Sequence, residues 1–165
     1  MAQITLGGNP TNTTGDLPSV GTSLANYQFT KHDMSSLELS SLKGKKVVLN
    51  IFPSVDTGVC AASVRKFNEK AAALDNTVVV CVSKDLPFAL ARFCGAEGIE
   101  AVEVTSDFRK PEFAKDNGLL IADSAFAGLD ARAIIVLDEE GKVSYTELVP
   151  EIGNEPDYDA AIAAL

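Results

Sequence analysis

Cys60 closes the run Pro53-Ser54-Val55-Asp56-Thr57-Gly58-Val59-Cys60, and its downstream side opens an amphipathic stretch. Cys60, Val64, Phe67, Ala71 and Leu74 share one helical face, while Arg65, Lys66, Glu69 and Lys70 occupy the other. A thiol at a helix N-terminus meets unpaired backbone N–H groups and the positive end of the helix dipole, and both favour the nucleophilic thiolate. The chemistry indicated is redox or nucleophilic sulfur chemistry. The same spacing puts Cys60 on the inner face, where cysteine also serves as a small hydrophobe; spacing alone leaves both readings open. Thr57 can turn its hydroxyl into the same bend, and Pro53 stiffens the start of the loop and can shield the sulfur from water.

The other cysteines differ in context. Cys81 lies within Val78-Val79-Val80-Cys81-Val82 and reads as core. Cys94 is near the end of a second amphipathic segment, beside Arg92 and Gly95, where spacing is equally consistent with a core and a functional role. A disulfide needs Cα atoms within about 7 Å, so any bridge from Cys60 to Cys94 would require local unfolding of two helices. Arg132 stands just ahead of the apolar run Ala133–Leu137, at the end of a strand. It is either a surface arginine or, if it faces Cys60, a cation that stabilises a thiolate and the charge on a leaving oxygen.

Other chemistries find little support. The three cysteines and the single His32 show no paired metal-ligand spacing, and no phosphate-binding Gly-rich loop is present, so no metal or organic cofactor is expected. His32 is the only histidine and lies in the polar Lys31-His32-Asp33, a poor base for a Cys-His hydrolase. Cys60-Ala61-Ala62-Ser63 is a monothiol form of the CxxC pattern, which keeps a glutaredoxin-like thiol transferase as a rival.

These residues need a scaffold. Ile4–Thr13, broken by Gly7-Gly8-Asn9-Pro10, reads as a hairpin. Tyr27–Thr30 and Ser36–Ser40 read as strands, and Val47–Phe52 and Thr77–Ser83 as buried strands around the Cys60 helix. A helix begins near Pro87 and stops at Gly95 or Gly98; Val102–Val104 is a short strand and Pro111–Gly118 a short helix with a glycine stop. Ala133–Asp138 and Lys142–Leu148 form a second hairpin, and Pro156–Leu165 a closing helix. Without repeats or a linker, residues 1–165 read as a single domain. Its class is α/β, a thioredoxin-like order with a mixed central sheet flanked by helices and an added N-terminal β-hairpin.

Composition bounds the partners. A formal net charge of −9 argues against nucleic acid or an anionic membrane surface. No apolar run approaches the ~20 residues of a membrane-spanning helix, and Met1–Gly8 lacks the basic and apolar regions of a signal peptide. A cytoplasmic protein is expected, and an odd number of cysteines there argues against a structural disulfide framework.

The run Asn50–Arg65 resembles the active-site segment of the bacterial thiol peroxidases, which are atypical two-cysteine peroxiredoxins. Their Pro-x-x-x-Thr-x-x-Cys pattern is met by Pro53, Thr57 and Cys60. Asp85-Leu86-Pro87-Phe88-Ala89 with Arg92–Gly98 is similar to the family's resolving-cysteine helix, Ala131-Arg132-Ala133 to its active-site arginine segment, and Glu155–Ala161 to its tail. The resemblance covers essentially the whole chain. It implies that Cys60 is the peroxidatic and Cys94 the resolving cysteine, joined in an intramolecular disulfide, with Cys81 a bystander. Thr57 and Arg132 would hold the peroxide oxygens and the thiolate, and Pro53 would shield them. The implied partners are an alkyl hydroperoxide or hydrogen peroxide as substrate, thioredoxin as reductant and a second copy in a homodimer. The flank Phe52, Val55, Val59, Phe88 and Phe93 is compatible with alkyl substrates. One departure is Leu90, where the family pattern has glutamine; it bears on reductant docking or helix mobility. A redox-sensing exchange module without peroxidase turnover is the reading from a different class, and the presence of both Thr57 and Arg132 favours the enzyme.

Overall fold

The computed structural model describes residues 1–165. Its centre is a seven-stranded sheet built around two neighbouring apolar strands, β5 (Lys46–Ile51) and β6 (Thr77–Ser83), which run parallel because the helix α1 (Gly58–Ala71) crosses between them. The helix α2 (Pro87–Glu97) connects β6 to the parallel strand β7 (Glu103–Ser106). The sheet is completed by antiparallel strands: β3 (Gln28–Lys31) and β4 (Ser36–Glu38) beyond β7, and β8 (Ala133–Leu137) and β9 (Val143–Leu148) beyond β5. The order β4-β3-β7-β6-β5-β8-β9 is the mixed sheet expected. The expected N-terminal hairpin is β1 (Gln3–Leu6) with β2 (Asn9–Asn12). Its turn is tighter than the expected four residues: Gly7 and Gly8 alone make it, with φ of 58° and 81°, the left-handed pair that matches the twist of two antiparallel strands. Asn9 and Pro10 are already in β2.

Strand alternation divides the core. Val48, Val79, Cys81, Val104, Ile134 and Val136 face Phe67 of α1 and Leu90 and Phe93 of α2. That layer is closed by the last helix, α4 (Tyr158–Ala163), whose Tyr158 ring meets Phe67 edge-on at 5.2 Å. Val47, Leu49, Ile51, Val80 and Val82 point to the opposite side, against Phe29 and Phe113, the latter on the short helix α3 (Glu112–Asp116). A smaller cluster of Ile4, Ile121, Ala131 and Ile152 seats the hairpin on the body.

Helix ends are set locally: α2 takes the second of its two expected stops, and α4 departs from expectation at its start. α2 runs past Gly95 and stops at Gly98, which adopts φ 66° and returns its N–H to the Cys94 carbonyl. α4 starts two residues later than expected, because Asp157 caps it by accepting from the Ala160 N–H.

Candidate active site

Cys60 is in the first turn of α1, whose N-cap is Thr57 in an extended conformation (φ −110°, ψ 146°). The Thr57 hydroxyl does not cap the helix; it donates to the Ser54 carbonyl at 3.0 Å and closes the bend between β5 and α1. Asp85, in the β6–α2 connection, straps this bend. It accepts from the Ser54 hydroxyl at 2.7 Å, the Val55 N–H at 2.8 Å and the Ser83 hydroxyl at 2.7 Å. Pro53 is buried within it. Arg92 of α2 pairs with Asp56 at 2.9 Å, a second tie between α2 and the same bend.

Register delivers Arg132. β8 lies antiparallel beside β5 with Ala133 opposite Ile51, so the residue before Ala133 stands next to the chain leaving Ile51. Arg132 is 2% exposed, which settles the choice against a surface arginine. Its Nε donates to the Ile152 carbonyl at 2.7 Å and its Nη2 to the Cys60 Sγ at 3.2 Å, while Nη1 is buried without a partner. A guanidinium fixed by a main-chain carbonyl and a helix N-terminus therefore converge on one sulfur.

Cys60 itself is 0% exposed. Beside it opens a cavity of about 310 Å³ lined by Leu6, Thr57, Val59, Phe126, Arg132 and Ile152, among others. Of the expected apolar flank only Val59 belongs to this wall. Phe52, Val55 and Phe93 are in the core, and Phe88 is 71% exposed on α2. The period of an amphipathic segment says which residues are apolar but not which of them the core takes. Leu6, Phe126 and Ile152 carry no local pattern tying them to Cys60; they meet there because the hairpin packs on the loops flanking β8 and β9.

Cys94 is on α2, 7% exposed, in the same apolar cluster as Cys60, and burial pushes its thiol up from the ordinary value. No disulfide is formed and the cysteines are free. Cys81 is fully buried on β6, where Asn50 Nδ2 donates to its sulfur at 3.6 Å; burial pushes its thiol up to about 12, as suits a core residue. His32 is in the turn after β3, separated from β5 by two intervening strands, and takes no part. No group of His, Cys, Asp or Glu side chains is arranged to hold a metal ion.

The sequence profile of the Redoxin family matches residues 15–162. A thiol peroxidase of Corynebacterium glutamicum is 58% identical over all of this chain and 99% of its own length, and a thiol peroxidase of Mycobacterium tuberculosis is likewise 58% identical, with the same coverage. Among solved structures, a peroxiredoxin-like protein from Aquifex aeolicus superimposes with a TM-score of 0.93 at 38% identity, over 99% of this chain and 95% of that one. The fold is shared more widely: a thiol peroxidase from Chromobacterium violaceum matches with a TM-score of 0.85 at 23% identity, covering 96% of this chain and 91% of its own. Matched by that profile over most of its length and by these relatives over all of it, the chain belongs to the Redoxin family and, within it, to the thiol peroxidases.

Proposed function

We propose that this thiol peroxidase reduces organic hydroperoxides and hydrogen peroxide through Cys60, forms a Cys60–Cys94 disulfide, and is recycled by thioredoxin. The observation that carries the reading is the Arg132 guanidinium, held at 3.2 Å from the Cys60 sulfur with a further buried N–H free. Cys60 thiolate attacks the terminal peroxide oxygen. The S–O bond forms, the O–O bond breaks, and the departing oxygen takes a proton to leave as alcohol or water. In this reading Arg132 Nη1, which has no other partner, donates to the peroxide as charge moves onto the leaving oxygen, and the Thr57 oxygen, whose proton goes to the Ser54 carbonyl, accepts from it. Pro53 keeps water from the thiolate.

The resulting sulfenic acid then meets the Cys94 sulfur. A S–S bond forms and the sulfenic oxygen leaves as water. Cys60 and Cys94 sit buried on separate helices, so the first turn of α1 and the end of α2 must loosen for this step. Thioredoxin's dithiol reduces the disulfide by exchange, and its own thiols are oxidised. The protein works in the cytoplasm as a homodimer. No helix is long and apolar enough to cross a membrane, and Leu86 and Phe88 form an exposed apolar pair that suits a second copy.

The test is stopped-flow oxidation with cumene hydroperoxide, followed by peptide mapping. Cys60→Ser is expected to abolish turnover, and Cys94→Ser to keep one turnover but lose recycling by thioredoxin. A wild-type rate no faster than that of a free thiol would instead mark a thiol-exchange module.

A further inference from the structure

One carboxylate joins the N-terminal hairpin to the candidate site. Glu151 stands in the loop between β9 and α4. Its Oε1 accepts from the Gly8 N–H at 2.7 Å and the Thr5 hydroxyl at 3.1 Å; its Oε2 accepts from the Gly153 N–H at 2.8 Å and the Gly7 N–H at 3.4 Å. The left-handed Gly7-Gly8 turn aims both of its N–H groups at this one side chain. Main-chain bonds continue the seam, from the Thr5 N–H to the Pro150 carbonyl at 2.7 Å and from the Ile152 N–H to the Thr5 carbonyl at 2.9 Å. The next residue along, Ile152, gives Arg132 its carbonyl.

The carboxylate thus lies at the joint between the hairpin and the loop that anchors the guanidinium. On either side of that joint, Leu6 and Ile152 supply apolar side chains to the lining of the 310 Å³ cavity, which Val59 and Phe126 also line. Glu151 lines the cavity as well, with both of its oxygens engaged by hairpin and loop donors.

We propose that Glu151 is a positioning residue that sets the site's preference for bulky apolar hydroperoxides over hydrogen peroxide, by clamping the Gly7-Gly8 turn so that Leu6 closes the cavity wall. This rests on the peroxidase reading above. An alkyl or aryl tail gains from an apolar wall in proportion to the surface it removes from water, whereas hydrogen peroxide has no tail to bury. Loosening the turn therefore withdraws binding from one class of substrate more than from the other. Glutamine at 151 preserves shape but replaces one acceptor oxygen by an NH2 that cannot accept from a glycine N–H.

The experiment measures second-order oxidation of the reduced full-length protein by cumene hydroperoxide and by hydrogen peroxide in parallel. The ratio of the two rate constants is expected to fall at least fivefold in Glu151→Ala and by a smaller factor in Glu151→Gln. Leu6→Ala, which keeps the carboxylate and its donors, is expected to lower the ratio as well. If Glu151→Ala does not fold, the other two variants decide. An unchanged ratio in the folded variants, or a parallel loss with both peroxides, overturns the proposal, since a merely structural glutamate would slow both alike. A wild-type protein that reacts with neither peroxide faster than a free thiol overturns the peroxidase reading itself.

Discussion

Arg132 and Cys60 are 72 residues apart in sequence, and Arg132 Nη2 donates to Cys60 Sγ across 3.2 Å. The contact follows from strand register: β8 is antiparallel to β5, so the start of one strand abuts the end of the other. The guanidinium is a fork, with one tine on the Ile152 carbonyl, one on the sulfur and one unengaged. Lysine has the charge but not the fork. Arg132→Lys is therefore expected to slow Cys60 oxidation by roughly 10²-fold, the scale for losing a preorganised donor, with secondary structure intact. Stopped-flow oxidation with circular dichroism on the same sample checks this; a loss below threefold would mean that charge alone suffices.

Asp85 holds the bend that carries Thr57. Its carboxylate takes a main-chain N–H and two hydroxyls, joining the ends of β5 and β6 to the start of α2. Asp85→Ala leaves the Val55 N–H and the Ser54 hydroxyl without that acceptor, and hydrogen bonds to a charged group contribute about 1.5–3 kcal/mol. Denaturant unfolding is expected to show a loss in that range, together with slower oxidation of Cys60 because the Thr57 hydroxyl is no longer fixed. Asp85→Asn, which retains one acceptor, should recover part of both.

A buried charge cluster sets the pH response of the scaffold. Lys84 Nζ lies 2.6 Å from Asp107 and 3.2 Å from Asp130, and both carboxyls are fully enclosed. Burial, and then the neighbouring Asp107, raise the Asp130 carboxyl well above its ordinary value. Burial also raises Asp107, with Lys84 opposing. For Lys84 burial acts downward, but the two carboxyls outweigh it and the ammonium is raised. A raised carboxyl binds a proton in the folded state that the unfolded chain releases near pH ~4, so this contribution is present at acid pH and is lost as pH rises through the folded value. Asp130→Asn mimics the protonated acid and is expected to flatten the decline in stability above about pH 4. Lys84→Met, which strands two carboxyls, should cost about 3–5 kcal/mol at neutral pH. Urea melts between acid and neutral pH decide; an identical pH profile in wild type and Asp130→Asn would refute a raised Asp130 carboxyl.

What could be read from the sequence was set by range. Pro53, Thr57 and Cys60 lie within one bend, so their pattern alone placed them together, and the apolar run of β5 placed that bend at the end of a strand. Arg132 could be named from its place at the end of an apolar strand, but the choice between a surface arginine and a partner of Cys60 stayed open without the family resemblance, because the contact depends on the β5–β8 register. Leu6, Phe126 and Glu151 escaped altogether. They come from the hairpin and from loops, and their roles depend on how the hairpin seats on Ile121, Ala131 and Ile152. Phe93, read as part of a flank compatible with alkyl substrates, stands outside the cavity lining for a related reason: an apolar residue on an amphipathic helix is claimed first by the core.

Leu90, the departure from the family pattern, gives the last prediction. It is fully buried on α2, one helical turn before Cys94, in the cluster that also holds Cys60. That position bears on the mobility of α2 and not on a docking surface. Leu90→Gln would bury an amide among apolar side chains, a penalty of about 1–3 kcal/mol paid only while α2 is docked. Each 1.4 kcal/mol is about tenfold in an equilibrium constant, so the loosened state is expected to rise by roughly an order of magnitude. On the proposed cycle, Cys94 then reaches the sulfenic acid sooner, and less of Cys60 proceeds to sulfinic acid under excess peroxide. Intact-protein mass spectrometry after graded peroxide pulses reads both species. Disulfide and sulfinic yields equal to wild type in Leu90→Gln would show that undocking of α2 does not limit the resolving step, whereas a shift toward disulfide would identify Leu90 as a brake on it.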